Sequence, residues 1–248
     1  MTVPIAVQLY SLRDALEHNL EPVFARLAEI GYVGVEPYGG LDAAQVAALS
    51  RRYGLQIPSA HLAPPLDADE RPTLDAADVL GIERIVVPYL PPEHFADLDT
   101  IKRTADRLNA ASDIARRHGR SLGYHNHWWE LNLIDGKTVL DHLRDQVAPE
   151  IFFEIDTYWV KTGGQDPAQV VGSFGVRAPL LHIKDGPADN SNSPMVAVGT
   201  GTLDFPAVVG ASAANWLIVE LDKCASDMMT AIEASYQYLT TQGLAHGR

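Results

Sequence analysis

The sequence predicts a single α/β domain folded as a (β/α)8 TIM barrel. Short apolar runs alternate with amphipathic stretches along all 248 residues. Several of the runs are apolar without alternation, as in strands that are buried on both faces. Eight such strand–helix pairs in a chain of about 250 residues match the length of a barrel. No linker or shift in composition marks a second domain, so residues 1–248 are interpreted as one domain.

Eight apolar runs bounded by turn residues predict the strands. In chain order they cover residues 4–9, 33–36, 56–61, 84–87, 121–126, 151–156, 180–184 and 216–220. A doubly wound open sheet is the rival arrangement. None of these runs is followed by the G-x-G-x-x-G turn of a dinucleotide-binding fold, which disfavours it.

A helix is predicted after each strand. In the first one, Asn19 is the predicted N-cap, Gly31 follows the last turn, and the apolar residues 20, 23, 24, 27 and 30 share one face. Asp166 and Pro167 open a later helix as N-cap and first helical residue. The predicted helices cover residues 20–30, 42–54, 74–80, 98–118, 137–146, 167–174, 205–211 and 227–239.

Composition excludes several classes of protein. The formal net charge is −13, which disfavours a nucleic-acid partner because phosphate backbones are repelled. A single cysteine, Cys224, allows no disulfide within the chain, which fits a reducing compartment. No apolar run is long enough to span a bilayer, and residues 1–16 are interpreted as a first strand rather than a signal peptide. We therefore expect a cytoplasmic protein with no membrane partner.

Polar and ionisable residues stand at the predicted strand ends, where barrels carry their chemistry. Such groups are seldom buried without partners, so we expect them to converge on one mouth. They are Gln8, Glu36, His61, His125, Asn126, His127, Glu130, Glu154, Asp156, His182, Lys184, Asp185, Glu220 and Asp222.

Glu130, Asp156, His182 and Glu220 together predict a site for one divalent metal ion. Their three carboxylates would repel one another unless a cation neutralised them. Oxygen-rich ligation with one nitrogen favours Mn²⁺ or Mg²⁺, with Co²⁺ and Zn²⁺ as alternatives.

Other residues in this set allow two interpretations. Glu36 and His61 fit either substrate contact or a structural role, and Glu154 fits a buried partner of Lys184. Trp159 fits either packing or stacking on a sugar. The glycine-rich segment 198–203 follows strand 7, where barrels often bind phosphate, but it contains no Lys or Arg, so phosphate binding is disfavoured.

The chain resembles the xylose isomerase-like TIM-barrel superfamily of sugar and sugar-phosphate isomerases and epimerases over essentially its whole length. The most specific segments are Tyr124-His-Asn-His-Trp-Trp-Glu130, Glu154-Ile-Asp-Thr-Tyr-Trp159 and Leu181-His-Ile-Lys-Asp185; the resemblance also includes segments 7–14 and 27–36. It implies one divalent metal held by Glu130, Asp156, His182 and Glu220. In similar ketose 3-epimerases the first Glu lies within strand 5, which here carries His125 and His127. If Glu130 does not reach the site, one of these histidines takes its place.

The resemblance implies a divalent-metal-dependent sugar isomerase or epimerase that transfers a proton through an enediolate of a sugar or keto-sugar. Glu130 and Glu220 are expected to act as acid and base on opposite sides of the substrate. Lys184 would stabilise the enediolate oxygen, and the residues expected to contact substrate are His61, His125, His127, Trp159 and Glu36. Barrels of this group are often dimers or tetramers, which makes a homo-oligomer an expectation by analogy.

Three alternatives remain from the sequence. The same site would serve a metal-dependent lyase or dehydratase acting on a 3-keto-glycoside or an inosose. A non-catalytic sugar-binding barrel would have lost its ligands, whereas this chain retains a Glu-Asp-His-Glu set. A nuclease resembling AP endonucleases is disfavoured by the net charge of −13.

Overall fold

The computed structural model describes residues 2–248, which form a (β/α)8 barrel, so the predicted fold class is confirmed. Its eight barrel strands are β1 Val3–Gln8, β2 Gly34–Glu36, β3 Ala60–His61, β4 Arg84–Val87, β5 Ser121–His125, β6 Phe152–Asp156, β7 Leu180–Ile183 and β8 Trp216–Val219. They are parallel, and each follows its neighbour around the barrel, with β1 paired to both β2 and β8.

The junction between β2 and β3 is the weakest in the barrel. It consists of isolated parallel bridges from Gly34 to Gln56 and from Tyr38 to His61. A Cβ at Gly34 would lie 2.7 Å from the Gln56 carbonyl oxygen. A side chain at this position would therefore hold the two segments apart and open the barrel.

Eight helices surround the strands: α1 Leu20–Ile30, α2 Ala43–Tyr53, α3 Glu70–Leu80, α4 Leu98–Arg117, α5 Val139–Gln146, α6 Pro167–Phe174, α7 Phe205–Ala211 and α8 Met228–Thr241. Two short helices cover Arg13–Leu16 and Thr157–Thr162, and 3-10 turns cover Leu9–Leu12, Asp67–Asp69, Pro92–Phe95, Trp129–Leu131 and Gly175–Arg177.

Side-chain caps explain where several helices begin. Asn19 accepts from the backbone N–H of Glu21, as the sequence predicts. Asp97 and Thr100 form a capping box at the start of α4. Gly31 ends α1 with φ of 112°, in the left-handed region that favours glycine.

The predicted elements differ from the structure at a few boundaries. The helix predicted over 137–146 begins only at Val139, because Lys137–Thr138 pairs with Leu133–Ile134 as a hairpin. Asp135 and Gly136 have positive φ values of 50° and 78°, which suit a tight hairpin turn. The third strand is shorter than predicted, and Ala245–His246 adds an unpredicted strand beside β1.

Strand alternation divides the barrel interior into an apolar half and a polar half. Successive residues point to opposite faces, so Phe152, Glu154 and Asp156 share the inner face of β6. A small cluster of buried apolar side chains contains Ala6, Val86, Phe152, Leu180, Trp216 and Ile218. On β6, β7 and β8 the polar groups follow these residues toward the carboxyl ends of the strands. The larger apolar cluster packs the helices against the outside of the barrel.

Candidate metal centre and active site

Four buried side chains at the carboxyl end of the barrel form a group that could hold a metal ion: His125, Asp156, His182 and Glu220. One donor atom from each lies within 4.8 Å of all the others. His182 Nδ1 is 2.8 Å from Glu220 Oε2, and His125 Nε2 is 3.6 Å from Asp156 Oδ2. Asp156 is held in place because its other oxygen accepts from the Trp159 backbone N–H.

A second group lies against the first and consists of His61, His125, Glu154 and His182. Glu154 Oε2 is 2.6 Å from His61 Nε2, 3.2 Å from His125 Nδ1 and 3.0 Å from His182 Nε2. His125 and His182 thus present one ring nitrogen to Glu154 and the other to Asp156 or Glu220. A carboxylate behind a histidine fixes the tautomer and the direction of the ring toward a metal.

Glu36 supports this network from below. Its Oε2 lies 2.8 Å from His182 Nε2, and it accepts hydrogen bonds from Gln8 Nε2 and from the Ser59 hydroxyl. The carboxylate is fully buried and is not among the residues that line the cavity described below. The structure therefore places Glu36 beneath the site, where it orients His182.

Three carboxylate groups surround the ammonium group of Lys184. Its Nζ lies 2.9 Å from Asp156 Oδ2, 2.6 Å from Glu220 Oε2 and 2.7 Å from Asp222 Oδ2. The same Nζ is 5.1 Å from the ring centroid of Trp159, which is 4 % exposed. The ammonium group is an internal counter-ion for the two candidate ligands Asp156 and Glu220.

Burial and neighbouring charge shift the pKa values across the site. Burial alone would lower the pKa of His182, but Glu154 and Glu220 outweigh it and hold this pKa well above its ordinary value. Burial, aided by His182, lowers the pKa of His125 to about 3. Burial raises the pKa of Asp156 to about 6, although Lys184 and His182 oppose it.

Glu130 lies outside both groups. Its Oε1 accepts from the Tyr124 hydroxyl at 2.5 Å, and its Oε2 accepts from the His127 backbone N–H at 2.9 Å. Alternation along β5 points Tyr124 away from the inner face that carries His125. The structure therefore does not bring Glu130 to the other three predicted ligands. His125 stands beside them instead, which is the alternative that the sequence left open.

The donor set fits a divalent cation. Four buried groups converge with two nitrogens and two carboxylates, a mixture that suits Mn²⁺, Co²⁺ or Zn²⁺ better than Mg²⁺, which prefers oxygen. In the part of the chain that the structure describes, Glu154 Oε1 and His127 Nδ1 are buried with no hydrogen-bond partner. Unpartnered polar atoms at such a place are unfavourable unless a ligand or water meets them.

A cavity of about 420 Å³ opens directly above these groups. Of the residues predicted to act at the site, His61, His125, His127, Lys184 and Glu220 line it, whereas Glu130, Glu36, Trp159, Asp156 and His182 do not. Three tyrosines that also line the cavity, Tyr10, Tyr38 and Tyr89, were missed from the sequence. The signal was available for all three, since each comes two residues after a strand ends.

The glycine-rich segment after β7 wraps around Asp185. The Asp185 carboxylate accepts from five backbone N–H groups at 2.8–3.3 Å, those of Gly186, Gly199, Gly201, Thr202 and Leu203. An internal carboxylate therefore occupies the place where a phosphate would bind to these N–H groups.

The family model for the xylose isomerase-like TIM barrel matches residues 24–239. The chain belongs to this family. A curated relative, the 2-epi-5-epi-valiolone 7-phosphate 2-epimerase of Actinoplanes sp. (strain ATCC 31044 / CBS 674.73 / SE50/110), is 27% identical over 128 residues. That match covers 51% of this chain and 45% of the relative, so the matched region spans less than half of that protein.

Two solved structures superpose over nearly the whole chain. A sugar phosphate isomerase/epimerase from Parabacteroides distasonis ATCC 8503 is 25% identical, with a TM-score of 0.82 and coverage of 99% of this chain and 96% of that one. A probable 3-DHS dehydratase from Bacillus anthracis is 14% identical, with a TM-score of 0.73 and coverage of 96% and 98%. The similarity to the dehydratase supports only the fold of this chain, not its activity.

Within residues 2–248, no helix is both long and apolar enough to cross a membrane.

Proposed function

We propose that this protein is a divalent-metal-dependent sugar isomerase or epimerase that moves a proton next to a carbonyl group. The observation that carries the proposal is that two imidazole rings each lie between the inner carboxylate of Glu154 and one of the outer carboxylates, Asp156 or Glu220. His125 and His182 each turn one nitrogen to Glu154 and leave the other for a cation beside Asp156 and Glu220. The likeness to the isomerase/epimerase from P. distasonis and to the 2-epimerase supports the same chemistry.

His125, Asp156, His182 and Glu220 would hold the cation. When bound, it would polarise the carbonyl of a sugar and acidify the neighbouring C–H group. The structure leads us to assign this ligand set in place of the one that contains Glu130. No proton-transfer role is assigned to Glu130, because its carboxylate is not part of the cavity lining.

Glu220 is the residue that we assign to proton removal. It lines the cavity, and burial, which would raise its pKa, is outweighed by Lys184 and His182, which keep the pKa well below its ordinary value. An ionised carboxylate can take the proton from the carbon beside the carbonyl and leave an enediolate. Return of the proton from Glu220 to the adjacent carbon gives an isomer, whereas an epimer forms when a second proton donor acts on the opposite face of the enediolate.

Two further residues hold the substrate during this transfer. Lys184 lines the cavity with its three N–H groups directed at carboxylates, so it would stabilise the oxygen that gains negative charge through its positive charge rather than through a hydrogen bond. His127 Nδ1 is buried without a protein partner and is assigned to a sugar hydroxyl. His61 lines the cavity beside them and orders Glu154.

The test combines metal analysis with deuterium uptake from D₂O into keto-sugars, before and after chelation and after Mn²⁺ is restored. We expect about one metal per chain and uptake that chelation abolishes. Glu220→Gln should lose uptake, whereas Glu233→Gln, a matched change in the surface pair with Arg26, should keep it. No metal and no uptake with added Mn²⁺ would overturn the proposal and favour a binding protein. A product of lower mass than the substrate would show a lyase instead.

A further inference from the structure

We propose that the substrate carries an apolar substituent and no phosphate, and that a cleft between α2 and α3 receives that substituent. This inference rests on the proposed function, since it names the class of sugar that the same site would take.

The cleft has a volume of about 320 Å³ and lies beside the cavity over the candidate ligands. Its lining is mostly apolar, with Val46 from α2 and Ala76 and Leu80 from α3; among the described residues that line it, Asp69 alone is charged. Polar ligands gain little from such a surface, whereas apolar groups gain free energy by leaving water. The cleft therefore fits a hydrocarbon or aromatic group.

The cleft and the main cavity are neighbours that share part of one wall. Tyr38, Gly39, Leu62 and Ala63 line both. Tyr38 also packs edge-on against Tyr10, with ring centroids 5.3 Å apart. A sugar above His125 and Glu220 can thus extend a substituent past Tyr38 into the cleft.

The charges around the mouth disfavour a phosphate. Within residues 2–248, Lys184 is the only Lys or Arg that lines the main cavity, and its ammonium group is already paired with three carboxylates. Arg13 lies nearby, but its guanidinium donates to the backbone oxygens of Tyr10 and Asp222. A phosphate dianion at this mouth would face the carboxylates of Glu220 and Asp222, and like charges repel.

Two sets of backbone N–H groups that could bind an anion are occupied by carboxylates of the chain itself. The Asp185 carboxylate accepts from four N–H groups of the glycine-rich segment and from that of Gly186. The Asp42 carboxylate accepts hydrogen bonds from the N–H groups of Ala44 and Gln45 at the start of α2, next to the cleft. The polar side chains that line the main cavity suit a neutral sugar, and the apolar cleft suits an apolar group joined to it. A glycoside has both parts.

The test measures binding to the Mn²⁺-loaded protein by calorimetry, with methyl 3-keto-β-glucoside, phenyl 3-keto-β-glucoside, 3-keto-glucose and 3-keto-glucose 6-phosphate as probes. We expect the phenyl glucoside to bind about tenfold or more tightly than the methyl glucoside, because the ring leaves water. The phosphate should bind at least about tenfold more weakly than 3-keto-glucose. Equal affinity for the two glucosides, or tightest binding of the phosphate, would overturn the inference.

Variants on α3 test whether the cleft causes the difference in affinity between the two glucosides. Ala76→Trp should fill the cleft and bring the phenyl-to-methyl ratio close to one, and the smaller change Ala76→Leu should lower it in part. Val79→Trp is the matched control, because Val79 is 48% exposed on the same helix. A ratio that all three variants leave unchanged would refute the cleft as the subsite. Binding with the expected ratio but without deuterium uptake would overturn the proposed function and leave the subsite standing.

Discussion

Glu154 Oε2 lies 3.0 Å from His182 Nε2, and both side chains are fully buried in the barrel. The same oxygen lies 3.2 Å from His125 Nδ1. One carboxylate oxygen therefore sets the direction of two imidazole rings, which come from different strands. The remaining nitrogens of both rings are directed toward Asp156 and Glu220.

Glu154→Gln is expected to weaken Mn²⁺ binding by about 10–100-fold, because the amide is a poorer acceptor for the two ring N–H groups. Calorimetric titration of Mn²⁺ into protein from which metal has been removed by a chelator measures this change. Circular dichroism checks that the barrel is folded. Gln45→Glu, which alters charge on the outside of α2, is the control. An unchanged dissociation constant in folded Glu154→Gln protein would contradict the orienting role.

Lys184→Met should make the stability of the protein depend more strongly on divalent cations. Removal of the ammonium group leaves Asp156 and Glu220 close together with His182 as their remaining cationic neighbour, which we expect to cost about 3–5 kcal/mol in the free energy of unfolding of metal-free protein. Mn²⁺ replaces the lost charge. Its addition should therefore raise the melting temperature more in Lys184→Met than in wild type.

The matched control for this experiment is Lys102→Met, which removes an exposed pair with Asp106 on α4. Its response to Mn²⁺ should equal that of the wild type. If Lys184→Met responded no more than this control, Lys184 would not be the counter-ion of the candidate ligands.

Glu130 gives a pH-dependent contribution to stability. Burial raises its pKa from 4.5 to about 8, although hydrogen bonds from Tyr124 and His127 oppose the shift. A carboxyl group whose pKa is raised on folding stabilises the protein below its unfolded pKa, and this stability is lost as the pH rises through the folded pKa. Between pH 4.5 and 9, the free energy of unfolding of the wild type should fall by on the order of 4 kcal/mol relative to that of a variant without this carboxyl group.

Glu130→Gln tests that statement by urea unfolding at several pH values. A glutamine amide can donate to the Tyr124 oxygen and accept from the His127 N–H, so the variant should fold. The difference in free energy of unfolding between variant and wild type should grow in favour of the variant as the pH rises. Glu150→Gln, an exposed change, should show no such trend. Parallel pH profiles of Glu130→Gln and wild type would contradict the raised pKa.

Asp185→Asn should loosen the glycine-rich segment. The amide nitrogen would face backbone N–H groups that the carboxylate now accepts, at a cost on the order of 3 kcal/mol. Hydrogen–deuterium exchange of residues 196–203 should become faster, whereas Asp189→Asn, an exposed change a few residues away, should leave it unaltered. Unchanged protection of this segment in Asp185→Asn would show that the carboxylate does not hold it.

Several features of the site could be predicted because they follow from position along a strand. Asp156, His182 and Glu220 each lie at or next to the carboxyl end of a strand, and alternation directs them inward with Glu154 one step deeper. Glu130 could not be placed in this way, since it lies in the 3-10 turn Trp129–Leu131 beyond the strand. Where a side chain in such a turn points depends on its partner, which here is Tyr124.

The sequence by itself determined the barrel, the family and the residue types that gather at its mouth, because strand and helix periodicities are local properties of the chain. Only the tertiary structure decided which of those residues meet. Contacts such as Lys184 with three carboxylates, or His125 and His182 with Glu154, join strands that are distant in sequence. They depend on the register between neighbouring strands and on the direction of each side chain, which no local pattern specifies.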